Sequence, residues 1–458
     1  MLETLKKAFK IKEIRKRLFF TLLMLVVVRL GCQIPIPFID GEQLQGLFQF
    51  GANAAKDAAQ SGAASDPLNF FSMFTGGSLE KMSIFALNIT PYITSSIIMQ
   101  LLTIAIPKLD EIQKDGEEGR KKIAEITRYL TVGLALIEST AMVFGFKNQG
   151  LFGDVNSLKG AHYWIVIITC ILAMTAGSAV LMWIGERITE SGVGNGISIV
   201  LTINIISSIP SDVKNLFTQY LTGENRSKGE IILNALIISA ILIGVVVLVV
   251  ILQGAIRKIG VQMSQKVQGR RQVGAQQSNI PLRVNTAGVI PVIFASSLLQ
   301  FPVVIYSFFN AQGRQAEWAK YLSQSNWLNP TSGWKYSIGF VVYLLLIIFF
   351  AYFYTSITFN PREVAKNLND RGGFIPGIRS GKTTVSYLTK ILNYIIFIGA
   401  VGLCIVATIP IAASGFSGVA LGFGGTSIII IVGVILETLE TIKSMVSERN
   451  FSTVKGIF

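Results

Sequence analysis

Ile231-Ile-Leu-Asn-Ala-Leu-Ile-Ile-Ser-Ala-Ile-Leu-Ile-Gly-Val-Val-Val-Leu-Val-Val-Ile-Leu252 runs for 22 residues without a single charge. A helix rises 1.5 Å per residue, so about 20 apolar residues cross a hydrocarbon core about 30 Å thick. Ser191–Ser211 and Tyr336–Asn360 repeat the pattern, uncharged over 21 and 25 positions. No water reaches the backbone in lipid, so only helices and closed barrels satisfy their amides there. Runs of this length without polar alternation are helices.

Working outward, the composition agrees. Of 458 residues, 51% are hydrophobic and 14% charged, against about 25% charged in soluble domains. Apolar runs and their breakers predict ten spans, at 18–36, 79–106, 128–146, 162–184, 193–210, 230–252, 286–309, 335–358, 388–410 and 424–442. The last two divide a stretch uncharged over 46 positions, Ile391–Leu436, at the glycine- and serine-rich Ala412–Gly425. The expected fold is an all-α polytopic membrane protein. Lys6 to Arg17 resembles the basic flank of a signal peptide, but no small-residue cleavage site follows, so the first span is expected to stay. Cys32, Cys170 and Cys404 are far apart and read as small core residues.

Ten spans put both termini on one side. With residues at span ends counted with the loop they flank, that side holds 28 of the 40 lysines and arginines and the other holds 10. Arg29 and Arg128 lie in or at the edge of spans. Positive-inside asymmetry therefore predicts cytoplasmic termini. The net charge of +14 is mostly this asymmetry, and it suits anionic lipid or an acidic partner better than DNA. The cytoplasmic loops 254–285 and 359–387 are long, polar and basic. The external segment 37–78 contains Gly51–Asp66, rich in alanine, serine and glycine, which reads as an insertion. Asn69-Phe-Phe-Ser-Met-Phe-Thr-Gly-Gly77 then follows, apolar but too short to span.

Two patterns suggest nucleotide chemistry and fail. Gly377-Ile-Arg-Ser-Gly-Lys-Thr383 has three residues between its glycines where a phosphate-binding loop needs four, and no strand is expected before it. Gly192-Val-Gly-Asn-Gly196 reads as glycine backbone at a helix start that permits close helix packing. Few ionisable residues fall within spans. Arg29 is expected to snorkel outward, Glu138 to face helices or water, and His162 to sit at the external interface. No nucleophile–base pair or carboxylate relay is visible, which argues against an enzyme. A solute transporter with broken helices remains open on these grounds.

Particular strings go further. Gln33-Ile-Pro-Ile-Pro37 ends the first span, and Phe74-Thr-Gly-Gly-Ser78 leads to Ser83-Ile-Phe-Ala-Leu-Asn-Ile-Thr-Pro-Tyr-Ile-Thr-Ser-Ser-Ile97. Thr127-Arg-Tyr129 opens the third span and Gly185-Glu-Arg-Ile-Thr-Glu-Ser-Gly-Val-Gly-Asn-Gly-Ile-Ser198 the fifth. Pro281-Leu-Arg-Val-Asn-Thr-Ala-Gly-Val-Ile-Pro-Val-Ile-Phe-Ala-Ser-Ser297, Gly373-Phe-Ile-Pro-Gly-Ile-Arg379 and Phe423-Gly-Gly-Thr-Ser427 complete the set. In order and in place, these resemble the SecY family of protein-export channels across essentially the whole chain. Phe38, where that family usually has glycine, and the long Gly51–Asp66 insertion are the departures.

The resemblance implies two pseudo-symmetric, inverted halves, 18–210 and 230–442, between the tails 1–17 and 443–458. A lateral gate to lipid would lie between spans 2–3 and 7–8, around a passive protein-conducting pore with no catalytic site and no cofactor. It implies a pore ring of Ile89, Ile93, Ile197, Leu201, Ile293 and Ile430. Ile89/Ile93 and Ile197/Leu201 are each i,i+4 pairs that share a helix face. An aliphatic ring offers water no hydrogen bonds and can gate by dewetting. It also implies a plug formed by Asn69, Phe70, Phe71, Ser72, Met73, Phe74, Thr75 and Gly76. Gate positions would be Thr94, Ile97, Glu138, Asn285, Ser296 and Ser297, with Thr94, Glu138 and Asn285 expected to share hydrogen bonds when closed. Arg270, Arg271 and Arg379 would dock the SecA motor or the ribosome, arginine suiting both phosphate and carboxylate. Further implied partners are SecE, a SecG-type subunit, signal sequences and anionic lipids.

Overall fold

The computed structural model describes residues 6, 8–38, 75–79, 81–148, 161–221, 228–263, 267–268, 271–272, 277–309, 317–322, 327–328, 334–370, 372–417 and 425–455. Among these, helices follow the uncharged runs. They are α1 (Lys12–Gly31), α2 (Thr90–Ala105), α3 (Pro107–Lys114), α4 (Gly116–Asn148), α5 (Ala161–Ser191), α6 (Gly196–Leu221) and α7 (Lys228–Gly254). Strands β1 (Ile256–Met263), β2 (Val267–Gln268), β3 (Arg271–Gln272) and β4 (Gln277–Arg283) come next. The chain continues through α8 (Ile290–Phe309), α9 (Glu317–Leu322), α10 (Ile338–Thr358), α11 (Pro361–Asp370), β5 (Gly373–Phe374), α12 (Lys382–Ser417) and α13 (Gly425–Lys455).

The second span differs from its expected bounds at its start. The helix begins at Thr90, not at 79, and residues 81–89 form turns. Met82 (φ 43°) and Asn88 (φ 53°) take left-handed backbone that breaks a helix. The turns instead pair with the chain leaving α1. The Ile36 N–H donates to Met82 O at 2.8 Å and the Ile84 N–H to Ile34 O at 3.0 Å. Pro91 falls in the first turn of α2, where its missing N–H costs no helical bond. At the other end α2 and α3 meet at 102°. Pro107 drives Ile106 out of helical backbone, to φ −110° and ψ 109°.

By length and composition, Gly116–Lys147, His162–Ser191, Lys335–Asp370 and Lys382–Ala412 can each cross a membrane, and the bent α2–α3 pair would make a fifth span. Gly196–Pro210, Ser239–Gly254 and Ile290–Val303 are shorter apolar segments.

The basic loops are not all coil, and to that extent the all-α expectation is corrected. β1 pairs antiparallel with β4 from Ile256↔Arg283 to Gln262↔Gln277, and β5 joins the other edge of β1 at Gln262↔Phe374. Strand alternation turns Ile259 and Val261 inward and leaves Lys258 and Gly260 exposed. Those apolar side chains pack with Leu282, Ala365, Ile375, Leu388 and Ile391, fastening the sheet to α11 and α12.

Helix packing falls into two groups. In the first, α1 packs on α5 and α6, α2 on α4, α4 on α5, and α5 on α6. In the second, α7 packs on α12 and α13, α8 on α10, α10 on α12, and α12 on α13. The same five pairings recur when the spans are numbered in order within each group. α8 bridges the groups through α2 and α4, and α13 does so through α6 and α1. The α5–α6 crossing is close because Gly196 lacks a side chain. A Cβ there would sit 2.0 Å from Gly185 O. Asn195 Oδ1 caps α6 by accepting from the Ile197 N–H at 3.2 Å.

Candidate functional site

Where α2, α6, α8 and α13 converge, the side chains are aliphatic. Leu201 (α6) and Ile430 (α13) lie buried in one cluster, with Ile93 (α2) and Ile293 (α8) packed against it. Ile97 belongs to the same cluster. Ile89 and Ile197 fall in the adjoining cluster around Val28, Phe85, Leu181 and Val200, which Ile93 also touches. Of the six predicted ring residues, four therefore belong to one large apolar cluster and the other two to a second that Ile93 joins to it. Ile89 caps α2 instead of lying within it, yet the Ile93 N–H still bonds Ile89 O at 3.0 Å, so the pair remains stacked.

The predicted gate residues do not form the shared hydrogen bonds expected of them, and Asn285 lies before the start of α8, its backbone beside Gly399 of α12. Thr94 Oγ1 donates to Thr90 O at 3.1 Å and Asn285 Nδ2 to Gly288 O at 2.9 Å. Ser296 Oγ bonds Val292 O at 2.9 Å, and Ser297 is half-buried. Hydroxyls in helices donate to the carbonyl four residues back, so Thr94 spends its one donor within its own helix. Glu138 on α4 is 9% exposed, and its Oε1 has no hydrogen-bond partner. Its helical neighbours Leu136 and Ile137 point outward, so the carboxyl faces the bundle.

Of the predicted plug, Asn69, Phe70, Phe71, Ser72, Met73 and Phe74 lie outside the described residues. Thr75 is buried, and Gly76 takes φ 62° directly on α6. A Cβ on Gly76 would meet Asn204 O at 2.5 Å and Ser207 Oγ at 2.7 Å.

That contact exposes a polar group that span-by-span reading passes over. Asn204 Nδ2 donates to Asn88 Oδ1 at 2.8 Å, Arg29 Nη1 lies 3.5 Å from Asn204 Oδ1, and Ser178 Oγ donates to Asn88 O at 3.3 Å. Arg29 therefore turns inward to α6 where snorkelling was expected. Asn88 and Asn204 are 2% and 1% exposed. The available signal was two asparagines inside otherwise apolar runs, a costly placement unless each finds a partner.

On the basic side, Arg379 is exposed in the turn between β5 and α12. Thr384 Oγ1 donates to its carbonyl at 3.0 Å, while Ile375 and Ile378 pack into the sheet cluster. The side chain is thus presented outward from a held backbone. β5 does precede this turn, which corrects the expectation of no strand there, but the glycine spacing is unchanged. Arg271 opens β3, paired with Gln268, and Arg270 lies outside the described residues.

The SecY family model matches residues 83–439. The chain is 42% identical over 457 residues to a protein translocase subunit SecY of Streptomyces galbus, covering 98% of this chain and 99% of that one. Among solved structures, a protein-conducting channel superimposes with a TM-score of 0.59 at 20% identity, covering 94% and 92% of the two chains. Sec61 in the canine ribosome-channel complex from the endoplasmic reticulum gives a TM-score of 0.57 at 20% identity, with the same coverage.

Proposed function

The chain belongs to the SecY family, and from that premise we propose that it forms a protein-conducting channel in the cytoplasmic membrane of a bacterium. In this reading unfolded secretory chains pass between the two helix groups, and apolar segments leave sideways into lipid where α8 meets α2 and α4. The observation that carries the proposal is that Ile93, Leu201, Ile293 and Ile430, one from each of four helices and two from each group, belong to one apolar cluster. An aliphatic waist excludes water and ions yet yields to a passing side chain. A solute transporter would need a mid-membrane substrate pocket in place of that apolar ring.

The finer assignments follow from the same reading. Residues 18–210 and 230–442 form inverted halves around ten spans, both termini are cytoplasmic, and the segment ending at Gly76 plugs the waist from outside. The channel is passive. SecA or a translating ribosome docks on the basic loops through Arg270, Arg271 and Arg379, SecE clamps the halves, and a SecG-type subunit and anionic lipids attend them. The ribosome-bound setting of the canine relative supports the docking, as does the outward presentation of Arg379.

Site-specific crosslinking tests the channel. A photoreactive residue replaces Ile93 or Ile293 while a secretory precursor is stalled in the reconstituted complex. Adducts to the precursor from both sites are expected. Labelling of lipid or neighbouring helices alone, while export proceeds, would remove the waist assignment.

A further inference from the structure

The string Pro281-Leu-Arg-Val-Asn285 leads from the basic sheet toward α8, and one of its side chains reaches a different helix. Arg283, the last residue of β4, forms an ion pair with Glu440 on α13. Each partner stands ten residues from a waist residue. Ile293 follows Arg283 by ten positions, and Ile430 precedes Glu440 by ten along α13, about 15 Å at the helical rise. Ile430, Gly433, Glu437 and Glu440 recur at i, i+3, i+7 and i+10, on one face of α13. Gly433 supplies a second contact between the same two segments. A Cβ there would meet Val289 Cγ2 at 3.0 Å and Cγ1 at 3.1 Å. Beyond it, Ile293 and Ile430 share the waist cluster.

The stretch between Arg283 and Ile293 has little slack. The Val284 N–H donates to Ala255 O at 2.9 Å, Asn285 Nδ2 to Gly288 O at 2.9 Å, and the Ile293 N–H to Val289 O at 3.3 Å. At its other end β4 is tied to the face that presents Arg379. Leu282 packs in one cluster with Ile375 and Ile378, whose turn carries that arginine. A displacement at Arg379 thus has a packed path to β4, and coupling between distant sites travels through such contiguous contacts. From β4 to α13 the charged link is Arg283. Its guanidinium also acts on Glu437, one turn before Glu440. Both partners of the pair are exposed, so water can take the place of either one, and the link is weak enough to be remade.

We infer that Arg283 and Glu440 are positioning residues that join the docking sheet to α13, so that a motor or ribosome pressing on the Arg379 turn moves α13 together with the start of α8 and loosens the waist between Ile293 and Ile430. The inference rests on the channel and docking readings above. Without the pair, docking still occurs but α13 no longer follows the sheet.

The test uses the full chain reconstituted in its translocase complex in vesicles, with Arg283→Glu, Glu440→Arg and the double reversal. Transport of a precursor is measured against the concentration of the SecA motor. Each single variant is expected to lower the maximal rate about two- to fivefold, the range an exposed ion pair spans, while the motor concentration that gives half the maximal rate stays put. The double reversal rebuilds the pair with its charges exchanged and is expected to restore the maximal rate. Unchanged maximal rates in both single variants overturn the inference. So does a double variant no better than the worse single one. A raised half-saturating motor concentration at full maximal rate would make Arg283 a docking contact and overturn it too. If a reversal does not accumulate, Arg283→Gln and Glu440→Gln remove the pair without placing like charges together, and the same unchanged rates count against it. The readings beneath have their own control. An unsubstituted complex that moves no precursor sinks the channel reading and the link with it, whereas normal transport with unmoved rates in the variants sinks the link alone.

Discussion

Replacing Glu138 by leucine should make the protein harder both to unfold and to open. Its Oε1 is buried without a hydrogen-bond partner, on the helix that packs against α8. The adjacent Ser139 has found one, Thr175 Oγ1 at 3.0 Å. A stranded buried polar group costs about 1–3 kcal/mol. Leucine has comparable bulk and no polar atom to strand, so Glu138→Leu removes that cost from the packed arrangement. In the proposed channel, parting α4 from α8 would bring pore water to this face, solvating the carboxyl and exposing leucine, so the comparison reverses. Both effects favour the packed state, shifting the equilibrium between packed and parted forms by about 5- to 150-fold. Transport into vesicles of a precursor with a weakly apolar signal should therefore slow by at least about fivefold, and the melting midpoint of the purified complex should rise. Glu138→Gln keeps polar atoms in the same place and should behave much like the unsubstituted chain. If Glu138→Leu melts lower, or carries the weak-signal precursor at the unsubstituted rate, the carboxyl is not an uncompensated cost at this seam.

Two other substitutions probe the framework and the docking face. Gly196→Ala places a Cβ 2.0 Å from Gly185 O and should destabilise the α5–α6 crossing by about 1–3 kcal/mol. This would appear as a lower melting midpoint, and an unchanged midpoint would mean the helices do not cross this closely. Arg379→Glu reverses an exposed charge on a held turn. It should cut motor- or ribosome-driven transport about tenfold or more while the melting midpoint stays put, and normal transport would take Arg379 off the docking surface.

Much of the architecture was legible because it depends on sums along the chain. The uncharged run 231–252 lies within α7 and the run 336–360 covers α10. Charge alone separated the basic loops from the rest. Local chemistry also explains what was misjudged nearby. The stretch 79–89 is apolar enough for a helix, but left-handed backbone at Met82 and Asn88 and pairing with residues 34–36 give turns. In place of the expected bonds between Thr94, Glu138 and Asn285, Thr94 and Asn285 donate to carbonyls within four residues of themselves. The sheet escaped notice because its partners are remote: β5 joins β1 from more than 100 residues away, β1 is too polar to read as a core strand, and β5 is only two residues long.

By itself the sequence determined that the chain makes long apolar helices, which ends of them are basic, and which glycines permit close crossings. Each of these is set by a residue and its immediate neighbours, through hydrophobic length, charge and the lack of a side chain. The sequence also placed two asparagines in apolar surroundings without saying how either would be satisfied. Only the tertiary structure decided that Asn88 and Asn204 satisfy one another, that Arg29 orients the pair, and that Glu138 stays unmatched. A buried polar atom is paid for by whichever partner the packing delivers, and packing joins residues that no local rule relates.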